Sequence, residues 1–323
     1  MEYIRYHDEA QLRDPVLIAA LAGWNDAADA ATTAIKHLTD LWKPELIAEI
    51  DIEEFLVYTE TRPTIKLTDG IQRDIVWPTC KFFSYRPSYL GYDVILYLGA
   101  EPQLRWQTFS KLFLEVCKRY HVSEVVLLGA LLADVPHSIA VPMSGTATNT
   151  ELQERLKEMD VRGSRYEGPT GMIGVLQDAC KHAAIPATSL WAAAPHYLAA
   201  TPNIKVTSAL LTYVNTYMSL GLNLSDIQGD ALRFEEQITA LVARDPEASA
   251  YVHRLEEQAA GLADADEDGE GEDDEMFHPD RTVGTGPLPS AESLIHSVEE
   301  LLRKQRENNW QNPPPSDDDK ENE

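Results

Sequence analysis

Five acidic and histidine residues follow apolar runs of the sequence, at the points where strands would end. These candidate catalytic residues are Asp26, Glu101, Asp134, His137 and His196. Carboxylates and imidazoles can do acid/base chemistry together, since a carboxylate can raise the pKa of a nearby imidazole or orient it for proton transfer. If the strands are parallel, their carboxyl ends meet at one edge of a sheet, where ligands usually bind. The alternative is structural: the carboxylates cap turns or helices, and the histidines are half-buried loop residues.

A glycine-rich segment, GPTGMIG at residues 168–174, leads into a predicted helix. Its backbone N–H groups could bind an anion, which makes Thr170 and Gly171 candidate anion-binding residues. The alternative is a tight turn whose glycines let the helix and a strand approach each other. The segment does not match the dinucleotide-binding or P-loop motifs, and the sequence contains no nucleophile elbow of the α/β-hydrolase type.

The sequence offers no recognisable metal site. It contains no His-Glu-x-x-His, no Cys-x-x-Cys and no close pair of histidines, so we expect neither a metal nor a cofactor. The three cysteines, Cys80, Cys117 and Cys180, are far apart and lie within apolar patterns. We therefore predict buried free thiols rather than a disulfide framework, and free thiols are typical of a cytoplasmic protein.

The elements that must position the candidate residues alternate between strands and helices, which is typical of an α/β fold. We predict a mixed, mostly parallel sheet of five to seven strands. The predicted strands cover residues 16–21, 45–51, 80–85, 93–98, 124–131 and 187–193, with a β-hairpin at 64–77 whose Asp-Gly pair suits a tight turn. The predicted helices cover residues 27–42, 104–120, 170–183, 204–220 and 225–257.

The charge is strongly negative and unevenly distributed. Among the 323 residues, 27 Lys and Arg stand against 53 Asp and Glu, a net charge of −26. This balance argues against a nucleic-acid-binding protein, because phosphate affinity needs clustered basic side chains. The amino-terminal residues do not resemble a signal peptide, and no apolar stretch reaches the roughly 18 residues of a membrane span. We therefore predict a cytoplasmic protein that binds neither nucleic acid nor membrane.

Composition divides the chain into three predicted parts. Residues 1–222 form the α/β domain, residues 223–260 a helical extension, and residues 261–323 an acidic, largely disordered tail. Within the tail, an apolar stripe predicts a helix near residues 290–310. An acidic tail would select basic surfaces. The candidate partner-binding residues on this helix are Leu294, Val298 and Leu301.

Taken in order, five segments of the sequence resemble the proteasome assembly chaperone 2 family, in particular its bacterial, actinobacterial-type members. The segments are residues 23–27, 99–102, 129–137, 168–171 and 191–197, and the resemblance spans residues 16–220. It implies a three-layer α/β/α sandwich akin to the nucleoside phosphorylase/hydrolase scaffold, and a homo-oligomer. Eukaryotic members of this family chaperone assembly of the proteasome α-ring. Some bacterial members carry a label as ATP-grasp ligases, and the sequence has no glycine-rich ATP loop that fits the label.

Two functions remain open at the level of sequence. The first is a non-catalytic assembly or interaction protein that forms homo-oligomers and binds a protein partner with a basic surface. The second is a small-molecule binder or enzyme, of the hydrolase or phosphorylase type, acting on a nucleoside-like compound in the cleft at the strand ends. The second function rests on fold analogy, which is a weak warrant.

Overall fold

The computed structural model describes residues 3–8, 11–68, 72–164, 166–199 and 202–267, with side chains up to Gly261 in the last of these ranges. Within these residues the chain forms a nine-stranded sheet and a separate two-stranded hairpin. The strands of the large sheet are β1 (Ile4–Tyr6), β2 (Val16–Ala22), β3 (Glu45–Ile50), β6 (Cys80–Tyr85), β7 (Val94–Ala100), β8 (Glu124–Ala133), β9 (Met143–Ala147), β10 (Arg162–Gly163) and β11 (Ala187–Pro195). Their spatial order is β1-β3-β6-β7-β2-β8-β11-β9-β10. The hairpin consists of β4 (Thr64–Thr68) and β5 (Gln72–Val76).

The sheet is mixed, as predicted. Strands β7, β2, β8 and β11 are parallel neighbours at its centre, and β9 pairs with β10 in parallel. The pairs β1–β3, β3–β6, β6–β7 and β11–β9 are antiparallel. Parallel pairs therefore make up four of the eight described neighbour pairs. The centre of the sheet is parallel as expected, whereas four of the five pairs outside the centre are antiparallel.

Helices cover both faces of the sheet and make it a three-layer sandwich. One layer contains α1 (Ala30–Trp42), α3 (Thr150–Glu158) and α5 (Ile204–Met218), and the other contains α2 (Trp106–Arg119) and α4 (Met172–His182). Strand β2 shows why its sequence is apolar throughout. Leu17 and Leu21 pack towards α2 and α4, while Ile18 and Ala20 pack towards α1 and α5. A strand covered on both faces needs apolar residues at every position.

The C-terminal helices add a third apolar cluster beside the sandwich. Helix α6 (Ser225–Val242) packs against α5, and α7 (Pro246–Glu267) packs against α6. Tyr197 and Leu198, which follow β11, are buried against Phe234 and Ile238 of α6 and Tyr251 of α7. None of the helices that the structure describes combines the length and apolar character needed to cross a bilayer.

The strand count of five to seven was too low, because eleven strands are present in the described residues. The missed elements are β1, β9, β10 and α3. Strand β9 reads MSGTA, which contains no aromatic residue and only one β-branched residue, Thr146, so it lacks the composition that marks strands. β1 and β10 have three and two residues, too few to show a period.

The prediction of buried free thiols is confirmed for all three cysteines. Burial raises the pKa of the Cys80 and Cys180 thiols to about 12, and it raises that of Cys117 in the same direction. These thiols stay protonated at neutral pH and act as small apolar groups of the core.

Candidate functional site

A cleft of about 630 Å³ opens on the face of the sheet that α4 covers. Its walls are the loop after β2, the carboxyl end of β8, strands β9 and β11, and the segment that leads into α4. This volume lies within the range of roughly 300–1,000 Å³ that small-molecule sites occupy. The position agrees with the rule that ligands of α/β sheets bind beyond the carboxyl ends of parallel strands.

Asp26 lines the cleft and caps helix α1. Its Oδ1 accepts hydrogen bonds from the backbone N–H groups of Ala31 and Thr32 at 2.7 and 3.1 Å, and its Oδ2 accepts one from the Thr32 hydroxyl at 2.5 Å. Burial raises the pKa of the Asp26 carboxyl, and the hydrogen bonds from Thr32 and Ala31 oppose that rise. Both oxygens are therefore engaged in holding the start of α1, as the capping alternative expects.

The backbone between Asp26 and α1 is strained. Ala28 and Asp29 are consecutive non-glycine residues in the left-handed region, with φ of 53° and 52°. Both line the cleft. Non-glycine residues adopt this conformation at an energetic cost and do so mainly where the surrounding structure imposes it, often at binding sites. The loop after β2 thus has the kind of geometry that accompanies a functional surface.

Glu101 lies buried beside the cleft and joins two of its walls. Its Oε2 accepts a hydrogen bond from the backbone N–H of Trp24 at 2.9 Å. Its Oε1 accepts one from the Asn25 side-chain amide and one from the backbone N–H of Met172 at 2.8 Å. The carboxylate therefore fixes the loop after β2 to the first turn of α4, where the helix dipole favours a negative charge.

The carboxylate of Glu101 already occupies the predicted anion site at the start of α4. Thr170 and Gly171 both line the cleft, but the first helical N–H, that of Met172, is bonded to Glu101. A β-carbon at Gly171 would lie 2.2 Å from Asn25 Oδ1, and one at Gly174 would lie 2.1 Å from Thr170 Oγ1. The glycines permit this close packing, as the alternative interpretation of the segment expects. An external anion at the Met172 N–H would have to displace Glu101.

Hydroxyl and amide groups from three elements form the polar wall of the cleft. Thr146 of β9 lies opposite Ser189 of β11 in the sheet, and their hydroxyl oxygens are 2.9 Å apart. The Thr146 hydroxyl also donates to Gln177 Oε1 of α4 at 3.0 Å, and Gln177 Nε2 donates to the Thr146 carbonyl at 2.9 Å. Ser144 of β9 lines the cleft as well.

Aromatic side chains face the same space. Trp191 of β11 is paired in register with Gly129 of β8, and a β-carbon at Gly129 would lie 2.5 Å from the indole ring. Only glycine at position 129 leaves room for this ring. Trp24 is 60% exposed on the loop after β2, and Tyr166 lies between Ser164 and α4. The cleft thus has apolar planar surfaces beside hydroxyl groups.

Asp134 and His196 form a second group that does not line the cleft. His196 Nδ1 lies 3.1 Å from Asp134 Oδ1, an ion-pair distance whose angles fall outside hydrogen-bond geometry. The other ring nitrogen, His196 Nε2, is 3.1 Å from the hydroxyl of Tyr251 on α7. Burial raises the pKa of Tyr251 to about 12, so this hydroxyl stays protonated at neutral pH. The pair therefore joins the sandwich to α7.

His137 is buried between the sandwich and α6. Its Nδ1 is 2.8 Å from the Tyr197 hydroxyl, and its Nε2 is 3.1 Å from Thr239 Oγ1. Burial, and secondly the charge of Lys205, lower the pKa of His137 to about 4. The imidazole is thus neutral at pH 7 and well below the pKa range of a general base that works near neutral pH.

The five acid/base candidates do not meet in one cleft. Asp26 lines it, Glu101 is buried beside it, and Asp134, His137 and His196 lie against α6 and α7 instead. The expected convergence is wrong because the C-terminal helices cover the loops after β8 and β11. Leu294, Val298 and Leu301 lie outside the described residues, so their role stays a prediction. The described residues contain no group of three or more His, Cys, Asp or Glu side chains that could share a metal ion.

Sequence reasoning missed several residues of the cleft. Ser189, Gln177 and Trp191 lie inside regular strands and a helix rather than in loops, where binding residues concentrate. One signal was available, because a serine in the middle of an otherwise apolar strand needs a polar neighbour. That neighbour, Thr146, lies on the unrecognised strand β9.

Comparisons with known proteins agree with this architecture. The family model of the PAC2 family matches residues 20–242. A proteasome-assembly chaperone homologue from Mycobacterium tuberculosis is 43% identical, with a TM-score of 0.66 over 73% of this chain and 99% of that chain. A PAC2 family protein from Streptomyces avermitilis is 41% identical, with a TM-score of 0.67 over 74% of this chain and 100% of that chain.

A more distant structure shares the fold alone. PbaB from Pyrococcus furiosus, described as an archaeal proteasome activator, is 17% identical, with a TM-score of 0.59 over 74% of this chain and 97% of that chain. A search among curated proteins found no significant match. The family model covers more than half of the chain, and two solved relatives exceed 40% identity over almost their whole length. The chain belongs to the PAC2 family.

Proposed function

We propose that this chain is a non-catalytic, cytoplasmic assembly protein that forms homo-oligomers and binds protein partners. The relative from Mycobacterium tuberculosis is described as a proteasome-assembly chaperone homologue, which supports a function of this kind. The states of the acid/base candidates support it as well. Asp26 and Glu101 are engaged by backbone N–H groups, and His137 is neutral and buried.

The observation that carries the proposal is the hairpin of β4 and β5. It pairs with no other described strand, and every residue of both strands is exposed. Ile65 and Ile75 lie directly opposite each other and are 63% and 59% exposed. Leu67 shares their face, because side chains two positions apart on a strand point the same way. An isolated hairpin is only marginally stable in water, and clustered exposed apolar side chains mark interaction sites.

Charge favours a second copy of the chain as the occupant of this hairpin face, the surface formed by Ile65, Leu67 and Ile75. Residues 61–77 contain three Lys or Arg and two Asp, a net charge of +1, whereas the whole chain carries −26. A slightly basic, apolar hairpin is attracted to an acidic body. The base of the hairpin is held by an edge-to-face contact of Trp77 with Tyr58, whose ring centroids are 5.2 Å apart.

The oligomeric state tests the proposal. We expect the wild-type protein to sediment as an oligomer in analytical ultracentrifugation and the double variant Ile65→Lys/Ile75→Lys to sediment as a smaller species. The matched control is Leu232→Lys on α6, which changes an equally exposed leucine, 64% exposed, away from the hairpin. A monomeric wild-type protein would contradict the proposed homo-oligomer, and an unchanged double variant would show that the hairpin face is not the contact.

The acidic tail is the proposed site for other partners. We expect removal of residues 261–323 to leave the oligomer intact and to abolish binding of proteins with basic surfaces. Triple replacement of Leu294, Val298 and Leu301 by serine separates the predicted helix from the tail charge, since it leaves the acidic residues in place. If the shortened chain recovers the same partner proteins from cells as the full chain, the tail has no share in the function.

A further inference from the structure

Ser144 provides an unused polar group inside the cleft. The residue is 3% exposed and lines the cleft. Among the described residues its hydroxyl has no hydrogen-bond partner. A hydroxyl that borders an open cleft and bonds to no described protein group is available to a ligand in that cleft. This hydroxyl can donate one hydrogen bond and accept others.

Two neighbouring residues of the cleft wall, Ser189 and Gln177, also have hydrogen-bonding groups that protein partners do not use fully. Thr146 donates its only hydroxyl proton to Gln177, so the Ser189 hydroxyl must donate to Thr146. Ser189 then keeps its acceptor positions. Gln177 uses one of its two amide protons on the Thr146 carbonyl and keeps the other. The wall therefore offers both donors and acceptors, which suits hydroxyl groups on a ligand.

Two indole rings supply the apolar part of the site. Trp24, exposed at the rim, and Trp191, seated over Gly129, both line the cleft. Neither indole N–H bonds to another described residue. Aromatic faces beside hydroxyl and amide groups bind compounds that combine a ring with hydroxyl groups, since the ring stacks and the hydroxyls form hydrogen bonds.

The charges on the cleft wall are negative. Asp26 and Asp29 are among the residues that line the cleft, and no Lys or Arg is among its described lining residues. The start of α4, which would otherwise attract a phosphate, is bonded to Glu101. Carboxylates close to a bound phosphate would repel it, more strongly in a partly buried cleft than in open water. The wall therefore favours a ligand without an anionic group.

We propose that the cleft binds an uncharged ring compound that carries hydroxyl groups, of the size of a nucleoside or a disaccharide. Ser144, Ser189 and Gln177 form hydrogen bonds with its hydroxyl groups, and Trp24 and Trp191 contact its rings. This binding is separate from the contacts with protein partners, because the cleft and the hairpin face share no residue. It requires no covalent step.

Calorimetric titration of the full chain tests the proposal with adenosine, uridine and maltose as probes and adenosine monophosphate as the anionic counterpart. We expect saturable binding of at least one uncharged probe. We expect adenosine monophosphate to bind at least about threefold more weakly than adenosine because of Asp26 and Asp29. Nucleosides and disaccharides are two sources of the same chemistry, and the probe that binds identifies which of them the cleft takes.

Variants locate the binding. We expect Ser144→Ala to raise the Kd about fivefold and Trp24→Ala to raise it about tenfold, for loss of one hydrogen bond and one ring contact. The matched controls are Ser84→Ala, at a serine of equal exposure whose hydroxyl is also without a partner, and Tyr89→Ala, at an aromatic residue 59% exposed against 60% for Trp24; neither residue lines the cleft. Thermal unfolding confirms that the variants are folded.

Three results would overturn the proposal. The first is the failure of all three uncharged probes to bind. The second is a Kd that changes in neither Ser144→Ala nor Trp24→Ala, which would place the binding elsewhere. The third is tighter binding of adenosine monophosphate than of adenosine, which would show that the site is built for an anion.

Discussion

Replacement of Glu101 by alanine tests whether this residue holds the walls of the cleft together. The carboxylate is 7% exposed and accepts hydrogen bonds from the Trp24 N–H, the Asn25 amide and the Met172 N–H. Removing it leaves three buried donors without their acceptor, each of which costs about 1–3 kcal/mol when unsatisfied. Water from the adjacent cleft can reach some of them and reduces the sum. We expect the free energy of unfolding to fall by about 3–5 kcal/mol.

The assay is urea denaturation followed by tryptophan fluorescence and by circular dichroism. Glu101→Gln keeps the shape and one carbonyl oxygen, so we expect it to lose about half as much stability as Glu101→Ala. The control is Glu167→Ala, which removes an exposed carboxylate near α4 and should change stability by less than about 0.5 kcal/mol. A loss below about 1 kcal/mol for Glu101→Ala would refute the idea that the carboxylate bears on the fold.

Two further predictions concern His137 and Gly129. The pKa of His137 is lowered to about 4 from 6.5, so the unfolded chain binds the extra proton between these values and the native state loses stability as pH falls from 6.5 towards 4. This proton linkage lowers the free energy of unfolding by on the order of 3 kcal/mol across the window. We therefore expect the difference in unfolding free energy between wild type and His137→Gln to vary with pH between 6.5 and 4. A difference that stays constant with pH would contradict this prediction. Gly129→Ala places a β-carbon 2.5 Å from the Trp191 ring, and we expect a loss of about 1–3 kcal/mol with a shifted tryptophan emission. Gly91→Ala, which meets nothing within 4 Å, is its control, and equal effects of the two changes would contradict the packing argument.

The central layers of the fold follow from the sequence because long apolar runs permit few structures. Strands β2, β7, β8 and β11 are apolar at almost every position, which is characteristic of strands covered on both faces. Helices α1 and α2 show a single apolar stripe that must face a sheet. The hairpin was predicted from an Asp-Gly pair between two strand-like runs, and its two strands are confirmed.

The candidate site was only partly predictable from the sequence. Whether a side chain can act on a ligand depends on where it points and on which other elements pack over it, as well as on its position after a strand. Asp26 lines the cleft, as its place after a strand suggested, and Thr170 and Gly171, which were predicted from their place at the start of a helix, line it as well. His137 and His196 follow strand ends in the same manner, yet α6 and α7 pack over them. Nothing in residues 131–137 or 191–197 indicates that helices from residues 225–267 will occupy that space.

By itself, the sequence determined the alternation of strands and helices, the buried thiols, the family resemblance and the acidic balance. All of these depend on local pattern and composition, which a chain carries without its fold. The tertiary structure decided which polar residues meet. It bonded Glu101 to the start of α4, and it placed Ser189 beside Thr146 across strands 43 residues apart in the chain. Such contacts arise from strand order and helix docking, which pack distant segments together, and no spacing along the chain encodes them directly.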